Sequence, residues 1–141
     1  MNVRLVILFI LFVVLNSCNK NKTNPVPSIP FDIMINISLP SYNNLNGVGG
    51  WCYVNGGSRG IIVYRRAIDE FVAFDRHSPA DPDATCFLPL FTDPDNFLQL
   101  NDTCNNAKFS LYDGSPIANS TYGLRQYSTS FDGNTQLRIY N

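Results

Sequence analysis

From Phe31 the chain alternates strictly. Phe31, Ile33, Ile35, Ile37 and Leu39 fall on one face, and Asp32, Met34, Asn36 and Ser38 on the other. A period of two predicts a half-buried strand, here ended by Pro40. Tyr42 to Gly50 is rich in Asn and Gly and reads as loop, after which Trp51-Cys52-Tyr53-Val54 reads as a short strand closed by Asn55-Gly56-Gly57. Gly60-Ile61-Ile62-Val63-Tyr64 and Glu70-Phe71-Val72-Ala73-Phe74 are two further strands, close enough to pair as a hairpin through Arg65 to Asp69. Leu124 to Phe131 and Gln136 to Tyr140 flank Asp132-Gly133-Asn134, a second hairpin signal. No long segment carries a 3.6-residue period. The pattern predicts an all-β antiparallel body of roughly seven to nine short strands, built as a sandwich or small barrel. Trp51, Tyr53, Tyr64, Phe71 and Phe74 are expected in its core.

Between Arg76 and Thr103 the alternation stops. This excursion holds Asp81-Pro82-Asp83 and Asp93-Pro94-Asp95, with Cys86-Phe87-Leu88-Pro89-Leu90-Phe91 between them. The Asp-Pro steps read as turn initiators, with a Ca²⁺ site built from the four carboxylates as the other reading. An apolar run inside a loop either folds back over the domain or offers a contact surface, which makes Phe87, Leu88, Leu90 and Phe91 candidates for binding. Asp75, His77 and Ser78 are sequence neighbours, but adjacent residues on an extended chain point to opposite faces and do not assemble a nucleophile with its base.

Ahead of the body lies a different pattern. Val3 to Leu15 is apolar apart from Arg4, too short for the roughly 20 residues of a membrane span, and reads as the core of a signal peptide. The residues Leu15-Asn16-Ser17-Cys18 that follow resemble the lipobox of bacterial lipoproteins. That resemblance implies cleavage after residue 17, lipidation of Cys18 with palmitate-type acyl chains, and a membrane anchor. No acidic cluster follows Cys18, which by the same resemblance points to the periplasmic side of the outer membrane. Residues 18 to 30, with Pro25, Pro27 and Pro30, read as a lipidated N-terminus and flexible tether, leaving 31 to 141 as the folded domain.

At 141 residues the chain has room for one domain. Ten Lys and Arg stand against eleven Asp and Glu, so no basic surface for nucleic acid is expected, and no small-molecule substrate is indicated. The rarest residues constrain the chemistry most. There is one His, and there are four Cys.

One further resemblance emerges from residue order. Arg59-Gly60-Ile61-Ile62-Val63-Tyr64, then Phe71-Val72-Ala73-Phe74-Asp75-Arg76 with Ser78-Pro79, then Lys108-Phe109-Ser110-Leu111-Tyr112-Asp113-Gly114-Ser115-Pro116 lie in sequence. Tyr122-Gly123-Leu124-Arg125-Gln126-Tyr127 and the closing Phe131-Asp132-Gly133 with Leu137-Arg138-Ile139 complete the series. Together they resemble a Rieske-type ferredoxin domain, over about residues 57 to 141. The resemblance implies a Rieske-like β sandwich or small barrel with two loops meeting at a tip. In that family a cluster of two irons is held by two Cys and two His from these loops. Here the first-loop positions fall on Ser78 and Ala80, and the second-loop positions near Asp102 and Asn105, with Cys104 off register. One histidine cannot supply two, so no cluster and no other cofactor is expected.

The resemblance brings Cys86 and Cys104 to the same tip, and implies a Cys86–Cys104 disulfide there in an oxidising compartment. Cys52 reads as a small buried core residue, with pairing to one of the other two as the alternative. The expected function is a non-enzymatic, outer-membrane-anchored interaction or accessory subunit of an envelope protein complex. The alternative is an electron-transfer or metal-binding protein of the envelope.

Overall fold

Two continuous apolar runs sit at the centre of the molecule, a pattern that belongs to strands covered on both faces. The structure, a computed structural model, describes residues 23–141. Cys18 and the signal-peptide segment lie outside the described residues. Ten strands follow in order: β1 (Asp32–Asn36), β2 (Trp51–Val54), β3 (Ile61–Ala67), β4 (Glu70–Asp75), β5 (Phe91–Thr92), β6 (Gln99–Asn101), β7 (Lys108–Ser110), β8 (Pro116–Ala118), β9 (Gln126–Phe131) and β10 (Gln136–Tyr140). They form a six-stranded sheet ordered β1-β10-β9-β4-β3-β2 and a four-stranded sheet ordered β5-β6-β7-β8, every pairing antiparallel. The protein is all-β, as the patterning predicts. Among the described residues no helix is long and apolar enough to cross a membrane.

The side-chain alternation of β3 and β4 divides the interior in two. Ile61 and Val63 of β3, with Phe71 and Ala73 of β4, face a core shared with Ile35, Ile37, Leu45, Cys52, Tyr127, Leu137 and Ile139. Ile62, Tyr64, Val72 and Phe74 point the other way, into a second core with Leu90, Leu100, Phe109, Leu111 and Leu124. The small sheet therefore packs on the back of β3 and β4. Its loops are inserted between β4 and β9, strands that are themselves paired at Ala73 with Tyr127 and Phe74 with Gln126.

Several expectations change. The first strand stops at Asn36, whose Oδ1 accepts the Ser38 amide at 2.9 Å and turns the chain. Leu39 is exposed rather than buried, and Pro40 begins a 3-10 helix, Pro40–Asn46, that seats Leu45 in the core within the stretch expected to be loop. Pro suits a first helical position because its missing N–H has no partner there anyway. The β3–β4 hairpin is longer than expected, reaching Ala67 with an irregularity between Arg65 and Ala67. The Arg76–Thr103 excursion contains β5 and β6, so it is not wholly irregular. Tyr53 faces solvent with its ring centroid 3.7 Å from the Arg76 guanidinium, while its neighbours Cys52 and Val54 enter the first core and Trp51 packs, half-buried, against the second.

The stretch expected to be a tether is docked from Asn24 onward. Asn24 Nδ2 donates to the Gly123 carbonyl at 2.9 Å, Arg125 Nε donates to the Val26 carbonyl at 2.8 Å, and Val26 is 1% exposed. Asn141 closes the other end through Ser28 and the Ile29 carbonyl. The apolar content of the segment is low, but one valine and four backbone or amide hydrogen bonds suffice to hold it.

Candidate functional site

The first tip loop leaves β4 at Arg76 and is closed at its neck. The Leu90 amide donates to the Arg76 carbonyl at 2.8 Å, and Arg76 Nε returns a bond to the Leu90 carbonyl at 2.8 Å. Within it, the Asp81 carboxylate accepts the Thr85 amide and hydroxyl at 3.0 and 2.6 Å and the Cys86 amide at 2.8 Å. Burial works against ionisation of Asp81, yet these donors and nearby His77 outweigh it and hold the carboxyl below its ordinary range. Arg59 Nη2 fastens the Ala84 carbonyl to the turn after β2.

The second loop follows β6. The Asp102 carboxylate accepts the amides of Cys104 and Asn105 at 2.9 and 3.2 Å and the Asn105 side chain at 3.1 Å. It also accepts the Ser78 hydroxyl from the first loop. Burial again opposes the charge, and the bonds from Ser78, Asn105 and the loop amides lower the pKa despite it. Beside this pair, Cys86 and Cys104 form a disulfide with Cα atoms 6.1 Å apart. Cys52 is free and buried, and desolvation pushes its thiol up to about 12, so it is an inert core residue.

The four positions at which the resemblance places cluster ligands therefore lie together in part. Ser78 and Asp102 are buried and bonded to each other, Asn105 is exposed and braces Asp102, and Ala80 packs against the second core. The donors do not fit a cluster held by two Cys and two His. His77 is 2% exposed with both ring nitrogens engaged, Nδ1 at 2.8 Å from Ser58 Oγ and Nε2 at 2.8 Å from the Asp81 carbonyl. No buried side-chain nitrogen or oxygen among the described residues lacks a partner. Cys86, Asp102 and Cys104 are the one group of metal-ligand types found close together there, and two of its three donors are spent on the disulfide.

The Asp-Pro repeats do not converge on a cation. Asp81 caps the first loop, while Asp93 accepts the Asp95 and Asn96 amides and the side chains of Gln99 and Asn101 in the turn before β6. Of the apolar run, Leu90 folds back into the second core at 1% exposed, which removes it from the candidate contact surface. Phe87 and Leu88 stand out at 88% and 59%, and Phe91 is exposed at the rim of β5.

Ser58 is the residue that sequence reasoning missed. The Asp81 carbonyl only accepts, so in the neutral ring Nε2 carries the proton and Nδ1 accepts from the Ser58 hydroxyl. This looks like a nucleophile and its base. The adjacent amides of Ser58 and Arg59, however, both donate to Asp75, at 2.6 and 3.2 Å, and are not available to an oxyanion. Asp75 is wholly buried and also takes the His77 amide and the Tyr127 hydroxyl, at 2.7 and 2.5 Å. The group is a structural knot that ties the turn after β2 to the neck of the first loop. Nineteen residues separate Ser58 from His77, and no local motif signals their meeting. Neither a protein-family model nor a curated protein sequence matches the chain.

Proposed function

We propose that the chain is a membrane-anchored bacterial lipoprotein whose cluster-less Rieske-like domain serves as a non-catalytic interaction or accessory subunit of an outer-membrane or periplasmic assembly. The observation that carries this reading is the tip. Where two loops would offer cluster ligands, they instead meet through the Ser78–Asp102 hydrogen bond and the Cys86–Cys104 disulfide. The framework supports the resemblance in its order. Ala73-Phe74-Asp75 closes β4, two loops follow, Phe109 sits in β7, Asp113-Gly114 forms the next turn, and the β9–β10 hairpin ends the chain. A tip closed in this way keeps the shape of an electron-transfer domain without its metal, and leaves the outside of the excursion exposed, with Phe87, Leu88 and Phe91 standing out from it.

The full chain is expected to fractionate with the outer membrane, and Cys18→Ser to release it. Affinity purification after mild solubilisation should recover a defined set of envelope proteins, and iron analysis should find no stoichiometric iron. Recovery only as a lone monomer would count against an accessory role. Two irons per chain with visible absorption would replace this reading by electron transfer.

A further inference from the structure

We infer that Phe87 and Leu88 enter the interfacial layer of a lipid bilayer and give the domain a second point of membrane attachment. The inference rests on the proposed N-terminal anchor and names what the apex of the tip loop meets.

The docking of residue 24 fixes the distance. Only residues 16 to 23 separate the apolar run ending at Leu15 from Asn24, which is bonded to Gly123. Fully extended, eight residues span about 30 Å, and the stretch from Cys18 to Asn24 about 20 Å. A folded body of this length has a radius of gyration of about 13 Å, hence a diameter of about 35 Å. The domain is thus held within its own width of the bilayer, and the side where the chain enters cannot face away from it.

The base of the tip loop lies on that side. Gly123, to which Asn24 is bonded, follows directly on Asn119–Tyr122, which line one surface depression together with Pro79 and Ala80. Pro79 and Ala80 open the loop that continues through Cys86 to Phe87 and Leu88. The two apolar side chains are presented by a rigid support: the disulfide at Cys86, the Asp81 cap on its amide, and the closed neck at Arg76 and Leu90. An aromatic and an aliphatic side chain standing free beside a membrane attachment match the composition of interfacial anchors. The charge selects the lipid. The body after residue 31 carries eleven acidic residues against seven basic ones, and Asp83 is exposed on the same loop, so contact of the loop itself is favoured on a zwitterionic surface over an anionic one, while Lys20 and Lys22 of the tether act in the opposite sense.

The test uses the full lipidated chain in vesicles of phosphatidylcholine and phosphatidylethanolamine, with and without bromine on the acyl chains. Phe87→Trp is compared with Met34→Trp, a control on β1 that is 61% exposed, and the emission of Trp51 in the parent is subtracted. The tryptophan at position 87 should be blue-shifted and quenched about twofold by the brominated lipid, the control unaffected, and the effect smaller in anionic vesicles. Equal, unquenched emission from both variants on membrane-bound protein overturns the inference and leaves the anchor standing. A blue shift without bromine quenching places Phe87 against protein and also overturns it. Protein that does not stay with the vesicles overturns the anchor and this inference with it.

Discussion

The Ser78 hydroxyl donates to the Asp102 carboxylate, joining the first tip loop to the second at a point where both side chains are buried. The bond makes the tip sensitive to acid. Asp102 and Asp81 are both held below their ordinary range in the folded protein. Near pH 4 the unfolded chain therefore binds more protons than the folded one, and stability falls as pH drops. Their contribution is full above about pH 5 and is lost progressively below about pH 4. Asp102→Asn should flatten that acid limb and cost about 1–2 kcal/mol at neutral pH, read from urea unfolding across a pH series.

The disulfide closes a loop across 18 residues of sequence separation. Removing it as the Cys86→Ser, Cys104→Ser pair should cost about 3 kcal/mol. The loss should be concentrated at the tip, because β3 and β4 keep both cores when the loops loosen. Proteolysis is expected first between Pro79 and Pro89, whereas the amides of β3, β4 and β9 should be the last to lose protection from hydrogen exchange. Uniform loss of protection across the domain would contradict this division.

Cys52 offers a reporter of global opening. Its thiol is buried and its pKa is pushed up to about 12, so a thiol reagent at pH 8 should leave it untouched in the native protein and titrate one thiol per folded domain in denaturant. Rapid native reaction, or more than one thiol in the body under non-reducing conditions, would contradict the pairing.

Gly57 and Gly133 both have positive φ, +61° and +81°, but differ in surroundings. A Cβ at Gly57 would lie 2.5 Å from Asp75 Oδ2 and 2.6 Å from the Tyr127 hydroxyl, whereas at Gly133 nothing lies within 4 Å. Gly133→Ala should cost only the left-handed strain of about 1 kcal/mol. Gly57→Ala adds the displacement of a buried carboxylate and should cost about 3 kcal/mol or more, a difference that thermal melts of the two variants will show.

Val26→Ala tests the docked N-terminal segment. Two buried methyl groups are removed, at a cost of about 1.5–2 kcal/mol. A free tether would show no change in unfolding midpoint.

The elements legible in the sequence are those with enough residues to display a period. β3 and β4 declare themselves as unbroken apolar runs because both faces are covered, and β9 and β10 as runs about an Asp-Gly turn. β5 and β6 are two and three residues long and cannot show alternation. The 3-10 helix depends on Leu45 reaching the core, which spacing alone does not reveal. At the site, the meeting of Cys86 with Cys104 followed from the resemblance rather than from any pattern, and the opposite fates of Leu90 and Phe87 depend on packing across distant strands. The Ser58–His77–Asp75 knot joins segments that share no local signal.

The closed neck between Arg76 and Leu90 has a consequence for how the molecule can vary. With both ends of the loop hydrogen-bonded to each other, the thirteen residues 77–89 behave as a cassette plugged into a fixed socket. Its length and chemistry can be exchanged without shifting the register of β4 or the seat of Leu90. The domain is therefore a carrier on which different tips can be mounted, provided that each replacement supplies its own partners for the Ser58 turn, Asp75, Asp102 and Cys104.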